Sequence, residues 1–207
     1  MRLPSKNLRP VLTLVVIGLV SALTLAGLDQ LTGERIAREQ QTRALSAVSG
    51  MLADRDFDNN LLEDWIELPI EGFEQPATAY RARLAGEPVA MVIDVTTPRG
   101  YSGDIRLLVA VDVDGTVRQV GVLEHRETPG LGDRVEARRS DWLEQFPGRS
   151  LRDPEPDGWA PDRRGGDFDT LTSATITVAA IVEAVKRTLQ VIEAQPENIF
   201  SQQAEHP

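Results

Sequence analysis

An uncharged segment near the amino terminus is the feature that most constrains how this chain folds. Val11 to Leu28 spans 18 residues without a charge, and its only polar side chains belong to one serine and two threonines. A helix of this length, rising about 1.5 Å per residue, would nearly cross a hydrocarbon core about 30 Å thick. A cleaved signal peptide is the alternative, but its apolar core would run only about 7–15 residues. The sequence therefore predicts one transmembrane helix, and the folded domain must come from the residues after it.

The charges on either side of this segment predict its orientation. Arg2, Lys6 and Arg9 precede the segment, whereas Asp29 and Glu34 follow it. By the positive-inside rule the amino terminus stays in the cytoplasm and the rest of the chain is exported. In a Gram-negative cell this predicts a single-pass protein of the bacterial inner membrane with its folded domain in the periplasm.

The charge balance and the residue types exclude several classes of site. The chain carries 22 basic and 32 acidic residues, and its net charge of −10 falls to −13 without residues 1–9. Such an acidic body repels phosphates, so nucleic acid is not an expected partner. Cysteine is absent, and His125 and His206 lie far apart. No disulfide is possible and no metal site is predicted.

Alternating and β-branched runs after residue 79 predict an antiparallel-rich sheet. Asp114-Gly115 is a hairpin signal between two of these runs. The predicted strands are Tyr80–Leu84, Val89–Val95, Ile105–Asp112 and Val117–Leu123. Because helical patterns flank these runs, the fold class is predicted to be α+β.

Helical spacing is clearest in Ile176–Ile192, whose apolar residues fall on one face. Val135–Phe146 predicts one or two short helices, and residues 152–167 predict a long ordered loop. The predicted organisation has four parts: an amino terminus and transmembrane helix at residues 1–28, a helical stalk at 29–60, one domain at 61–200, and a flexible tail at 201–207.

The segment Glu127–Asp133, between a predicted strand and a predicted helix, is a candidate binding loop. Gly130 and Gly132 bracket Leu131, and glycines allow backbone conformations and close approaches that other residues do not. An ordinary strand-to-helix connection explains the same residues equally well. A dinucleotide fold is not indicated, because the further glycine and acidic residue of that motif are missing.

A second candidate is Asp169-Thr170-Leu171-Thr172-Ser173-Ala174-Thr175, which runs directly into the predicted helix. Unpaired N–H groups and the helix dipole make such a start an anion site. The Thr175 hydroxyl could carry a phosphate ester there. The alternative is that Thr172 and Ser173 simply cap the helix.

Several motifs in one order resemble those of a known family, the G subunits of the Rnf (Rsx) ion-translocating electron-transport complex. That family is related to the C subunit of the sodium-pumping NADH:quinone oxidoreductase. The segment from Asp169 to Thr175 is similar to its flavinylation pattern, D-x-x-S/T-G-A-T, with Ser173 in place of glycine. The other motifs are Tyr101-Ser102-Gly103, Glu127–Asp133, Ser140-Asp141-Trp142 and Gly165–Asp169.

The resemblance implies an FMN-binding domain that relays electrons within a membrane complex, without stand-alone catalysis. It implies that an FAD:protein FMN transferase joins FMN to Thr175 by a phosphoester, and that other Rnf subunits are partners. Asp169 would open the modification motif. The implied cofactor-binding residues are Thr175, Thr172, Ser173, Ala174, Glu127, Thr128, Gly130, Leu131, Gly132 and Tyr101.

Several of these residues also have a plainer interpretation. Glu127 could be a solvated loop charge, Tyr101 could lie at the sheet edge, and Leu131 could belong to the core. If position 173 requires a positive φ, serine there costs about 1–2 kcal/mol. The alternative function is accordingly an assembly or sensor module of the same fold that lacks flavin because of Ser173.

Overall fold

The computed structural model describes residues 11–22, 24, 46–52, 57–202 and 204. The chain divides into two compact units, Met1–Ala47 and Val48–Pro207. The second unit therefore begins inside the predicted stalk, whose residues 29–45 lie outside the described ones.

Within the first unit, residues 11–22 and 24 are helical. Their large apolar side chains are exposed, from 52% at Val15 to 71% at Leu14. Among the described residues, no helix has the length and apolar character needed to cross a membrane. Residues 25–28 of the predicted span lie outside them.

The second unit is built on a five-stranded sheet in which every strand is antiparallel to its neighbours, in the order β1 to β5. The α+β prediction is confirmed, and the four predicted strands are present, three with longer bounds and Ile105–Asp112 with the bounds predicted. The first strand was not predicted from the sequence. The strands are β1 Trp65–Leu68, β2 Ala77–Leu84, β3 Glu87–Thr97, β4 Ile105–Asp112 and β5 Val117–His125.

The predicted helix at Ile176–Ile192 is confirmed as Thr175–Ala194, the long helix, and a short C-terminal helix follows at Pro196–Ser201. The short helices predicted in Val135–Phe146 are two 3₁₀ segments with different bounds, Gly132–Val135 and Trp142–Gln145. The predicted loop at 152–167 contains two further 3₁₀ turns, Pro156–Gly158 and Asp162–Arg164.

The main core lies between the sheet and the long helix, which packs against β3 and β4. Alternate residues on the strands face this helix, as period-2 geometry requires. The helix contributes the apolar stripe predicted from its spacing. The buried residues include Met91, Ile93, Leu107, Val109, Val178, Ile181, Val185 and Leu189.

An aromatic cluster closes one end of this core. Phe146 lies between Trp142 and Phe168, at ring-centroid distances of 5.4 and 4.9 Å, and Trp159 lies 4.9 Å from Phe168. The indole N–H of Trp159 donates to Ser150 O at 3.0 Å. These contacts explain how a proline- and glycine-rich segment is ordered without regular structure.

The opposite face of the sheet is covered in part by residues 48–52. Val48 and Leu52 are buried. A Cβ placed at Gly121 on β5 would lie 3.7 Å from the sulfur of Met51. Part of the predicted stalk thus packs as a core element of the second unit.

Candidate functional site

A cleft of about 330 Å³ lies where three segments distant in sequence meet. One segment precedes β4, one follows β5, and one forms the start of the long helix. Its lining residues are Tyr101, Glu127, Thr128, Leu131, Gly132, Ser173, Ala174, Thr175, Ile176 and Thr177. The two candidate regions of the sequence therefore form one site, and its volume is typical of a small-molecule pocket.

Three residues of the predicted set do not line the cleft. Thr172 and Gly130 are exposed on the loops beside it. Asp169 is also exposed, but its backbone is held from both sides. Its carbonyl accepts from the Trp142 indole at 2.6 Å, and its N–H donates to Gln145 Oε1 at 2.8 Å. The 3₁₀ segment Trp142–Gln145 thereby fixes the loop that leads into the helix.

The loop after β5 is ordered by its own backbone. The N–H groups of Leu131 and Gly132 both donate to Thr128 O at 3.1 Å. Gly130 has φ 79°, and its N–H donates to Asp133 Oδ1 at 2.8 Å. Because glycine adopts this left-handed conformation without a Cβ penalty, the loop turns sharply enough to bring Leu131 to the cleft.

Glu127 is the best-anchored side chain of the site, with 6% of its surface exposed. Its Oε1 accepts from the N–H of Ser102 at 3.1 Å, and the Thr177 hydroxyl donates to its Oε2 at 2.8 Å. One carboxylate therefore joins all three segments of the cleft. The interpretation of Glu127 as a solvated loop charge is wrong.

Glycines make room for this carboxylate. A Cβ at Gly132 would lie 2.6 Å from Glu127 Oε2, and one at Gly100 would lie 2.9 Å from Oε1 and 2.2 Å from Gly103 O. No ordinary side chain fits at these distances. Gly132 therefore permits the close approach of the Glu127 side chain, whereas the sequence had suggested the close approach of a ligand.

The turn before the long helix contains an unusual serine. The N–H of Ala174 donates to Leu171 O at 3.0 Å, and Ser173, the third residue of this turn, has φ 75°. A positive φ at this position defines a turn that favours glycine. This conformation gives a physical reason for the glycine in the family pattern.

The helix begins at Thr175 without a side-chain cap. Ala174 is the N-cap residue and makes no side-chain hydrogen bond, so capping by Thr172 or Ser173 is not observed. Thr175 is half-buried on the cleft wall. Within the described residues its hydroxyl has no hydrogen-bond partner. The first-turn N–H groups and this hydroxyl are thus open to an anionic group.

The rim of the cleft is apolar and exposed. Tyr101 is 69% exposed, Ile176 48% and Leu131 46%. Leu131 therefore does not belong to the core, and Tyr101 lies in the loop between β3 and β4 and not within a strand. Large exposed apolar side chains around one cleft suit a flat, partly apolar ligand.

The sequence interpretation missed Ile176, Thr177 and the N–H of Ser102. Thr177 carried a usable signal, because it lies four residues before Ile181 on the buried face of the predicted helix. A hydroxyl on a buried face needs a partner. The partner, Glu127, lies 50 residues away in the sequence. Among the described residues no cluster of three potential metal ligands occurs.

Comparisons with known proteins agree with this site. Residues 100–190 match the FMN-binding domain family, and this range includes every lining residue of the cleft. This part of the chain is therefore similar to an FMN-binding domain.

Relatives of known name extend the similarity beyond this domain. A Shewanella loihica protein, named as the G subunit of an ion-translocating oxidoreductase complex, is 39% identical over 85% of this chain and 84% of its own length. A protein of the same name from Pseudomonas aeruginosa is 38% identical over 94% of this chain and 92% of its own length. The chain belongs to this family of G subunits, which confirms the resemblance carried by the motifs.

A solved structure is also similar. The crystal structure of Shewanella oneidensis NqrC matches 71% of this chain and 76% of its own, with 22% identity and a TM-score of 0.48. The family assignment depends on the sequence relatives and not on this similarity.

The residues of the cleft fit FMN. The uncapped helix start provides N–H groups for a phosphate, and the rim provides apolar surface for a planar ring. Thr175 lines the same cleft.

Proposed function

We propose that this protein is the electron-carrying flavoprotein subunit of an Rnf-type ion-translocating complex, with FMN attached covalently to Thr175. The observation that carries the proposal is the Thr175 hydroxyl, which stands without a described partner at an uncapped helix start inside the cleft. A half-buried hydroxyl that lines an open cleft can be reached by a modifying enzyme.

In the proposed attachment, a flavin transferase cleaves the pyrophosphate of FAD, releases AMP and joins the FMN phosphate to the threonine oxygen. The resulting phosphodiester keeps one negative charge. The helix N-terminus would stabilise this charge by about 0.3–1 kcal/mol. The attached flavin would supply the redox chemistry, while the chain supplies position, apolar contact and electrostatics.

In this proposal, different residues of the cleft make different contacts with the flavin. Tyr101, Leu131 and Ile176 would contact the ring, and Glu127, Thr128 and Gly132 would line the rest of the cleft. No nucleophile or general base of the chain takes part in substrate chemistry in this proposal. The role of the subunit is to hold one redox group near its partners.

The proposal includes a membrane location. The uncharged stretch Val11–Leu28 would anchor the chain, with the amino terminus cytoplasmic and the flavin domain periplasmic. The described part of that stretch exposes apolar side chains along its helix, which suits contact with lipid or with other membrane subunits. Relatives named as subunits of an ion-translocating complex support association with a membrane complex.

A second function is favoured by one observation, the positive φ of Ser173. If serine alters the turn that the transferase must recognise, the motif would remain unmodified. The protein would then serve as a flavin-free assembly module of the complex. Both functions use the same fold, so whether Thr175 carries FMN distinguishes between them.

The test is to express the full chain in a host that contains the transferase, purify it in detergent, and measure intact mass and flavin fluorescence under denaturing conditions. The proposal expects a mass gain of FMN minus water that is lost in Thr175→Ala. An unmodified wild type beside a labelled Ser173→Gly variant would contradict flavin attachment and favour the assembly function. Ala85→Gly, which relieves the other described positive φ of a non-glycine residue in a remote turn, is the matched control.

A further inference from the structure

Within the described part of the chain, Glu127 differs from the other buried carboxylates in having no cationic partner. Asp94 pairs with Arg106 at 2.6 Å, and Asp133 pairs with Arg139 at 3.0 Å. Among the described residues, no lysine, arginine or histidine lies within ion-pair distance of Glu127. Its two hydrogen bonds come from neutral donors, the Ser102 N–H and the Thr177 hydroxyl.

The surroundings of Glu127 explain how the chain tolerates this charge. Thr177 is the third residue of the long helix, whose first turn contains no acidic residue of its own. The positive end of a helix dipole stabilises an anion placed near its first turn. Glu127 thus takes the position of a first-turn acid, although it comes from a loop beyond β5.

The Glu127 carboxylate lies where it can interact with a ligand of the cleft. Glu127 lines the cavity and is 6% exposed. A ligand of that cavity would therefore lie beside the buried Glu127 carboxylate. Charges interact more strongly in such surroundings than in water.

We propose that Glu127 sets the reduction potential of the bound flavin by holding an uncompensated negative charge against the cleft. The inference rests on the proposed function. Each electron that the flavin accepts without a proton adds one negative charge to the cleft. Repulsion by the Glu127 carboxylate disfavours the reduced form, so Glu127 lowers the potential and makes the flavin a stronger reductant for its partner.

The test is a reductive titration of the flavin-loaded full chain with dithionite against reference dyes, followed by flavin absorbance. Glu127→Gln removes the charge but keeps the contacts, since its amide oxygen can accept from Ser102 and its NH₂ can donate to Thr177. The potential is expected to move in the positive direction. For a unit charge within about 10 Å, the equilibrium constant for reduction should rise about tenfold.

Asp133→Asn is the matched control, because it neutralises a buried carboxylate of the same loop that is paired with Arg139 and does not line the cleft. Its potential should stay close to that of the wild type. A wild-type potential in Glu127→Gln, or equal shifts in both variants, would overturn the inference.

A second pair of variants covers the case in which Glu127→Gln does not fold. Thr177→Val removes the hydroxyl that donates to the carboxylate and should move the potential in the negative direction, whereas Thr177→Ser should not. Equal potentials in these two variants would contradict the inference. A wild-type chain that carries no flavin would instead contradict the proposed function, and this inference with it.

Discussion

At the scale of single residues, the site depends on backbone conformations that side-chain chemistry alone does not reveal. Ser173 adopts φ 75° in the turn before the long helix. Gly132 is confined by the Glu127 carboxylate. Ser173 carries a Cβ at a position where glycine is favoured, whereas Gly132 has no room for a Cβ. We therefore expect substitutions at these two positions to change stability in opposite directions.

Ser173→Gly should stabilise the protein. Relief of the left-handed conformation gains about 1–2 kcal/mol, and the greater freedom of glycine in the unfolded chain removes about 0.5–1 kcal/mol of this. The expected net gain in unfolding free energy is about 0.5–1 kcal/mol, measured by urea denaturation. Ala85→Gly, at φ 53°, should give a similar gain. A loss of stability in Ser173→Gly would show that the serine side chain makes a contact that offsets its strain.

Gly132→Ala should destabilise the protein by about 1–3 kcal/mol, because the new Cβ would overlap Glu127 and force an adjustment in a packed site. Flavin labelling at Thr175 should fall as the loop moves. The measurements are urea denaturation and intact mass. Gly121→Ala is the control, since its Cβ would meet Met51 at an ordinary 3.7 Å and should change stability by less than about 0.5 kcal/mol. Equal effects of the two substitutions would contradict this prediction.

At the scale of elements, a buried arginine joins the sheet to the C-terminal helix. Arg81 on β2 is 1% exposed, donates to Asp64 Oδ1 through Nε at 2.6 Å, and donates to the carbonyls of Ile199 and Gln202 at 2.8 Å. Arg83 makes a parallel set of bonds to Asp64 and to Phe200 O. A cation at the end of a helix satisfies carbonyls that lack intrahelical donors.

Arg81→Met should cost about 3 kcal/mol of unfolding free energy, because it leaves Asp64 and two carbonyls with fewer donors in a buried place. Amide hydrogen exchange at residues 199–202 should become faster. Arg83→Met is the comparison. Its side chain is more exposed, so we expect a loss of about 1 kcal/mol. If hydrogen exchange in that region is unchanged in Arg81→Met, the arginine does not hold the C-terminal helix.

At the scale of the whole molecule, ion pairs between distant segments link stability to pH. Glu183 on the long helix accepts from Arg99 at 2.6 Å and from Arg187 at 2.8 Å. Burial alone would raise the pKa of the Glu183 carboxyl. The hydrogen bonds from Arg187 and Arg99 outweigh that effect, so the pKa lies below its usual value of 4.5. A carboxyl with a lowered pKa stabilises the folded state above the pKa of the unfolded chain.

Stability should therefore be nearly constant around neutral pH and fall as pH drops below about 4.5. Glu183→Gln should lower the unfolding free energy at pH 7 by less than about 1 kcal/mol, because the side chain is partly exposed and solvent screens the pairs. The variant should also lose less unfolding free energy than the wild type when the pH falls. Urea denaturation at neutral pH and at two acidic values that bracket the usual carboxyl pKa measures both effects. Identical pH profiles for the variant and the wild type would show that Glu183 contributes nothing to this dependence.

The sequence predicted the elements whose signals are local. Four strands and the long helix were identified because alternation and helical spacing are properties of adjacent residues. The strand Trp65–Leu68 and the C-terminal helix were missed. Both are short and depend on distant partners: β1 pairs with β2, and the C-terminal helix is bonded through Arg81 and Arg83. In Val135–Phe146 the sequence predicted one or two short helices but neither their 3₁₀ type nor their bounds, Gly132–Val135 and Trp142–Gln145.

The sequence by itself determined the order of the elements, the acidic character of the chain, and the ordered motifs that the family assignment confirms. Only the tertiary structure decided that Tyr101, Glu127 and Thr175 share one cleft, since antiparallel pairing and helix packing bring these separate segments together. It also decided that Glu127 is a buried carboxylate with no cationic partner among the residues described, and that Ser173 has a positive φ. Burial and backbone angle depend on all surrounding contacts, and no local pattern of residue types encodes them.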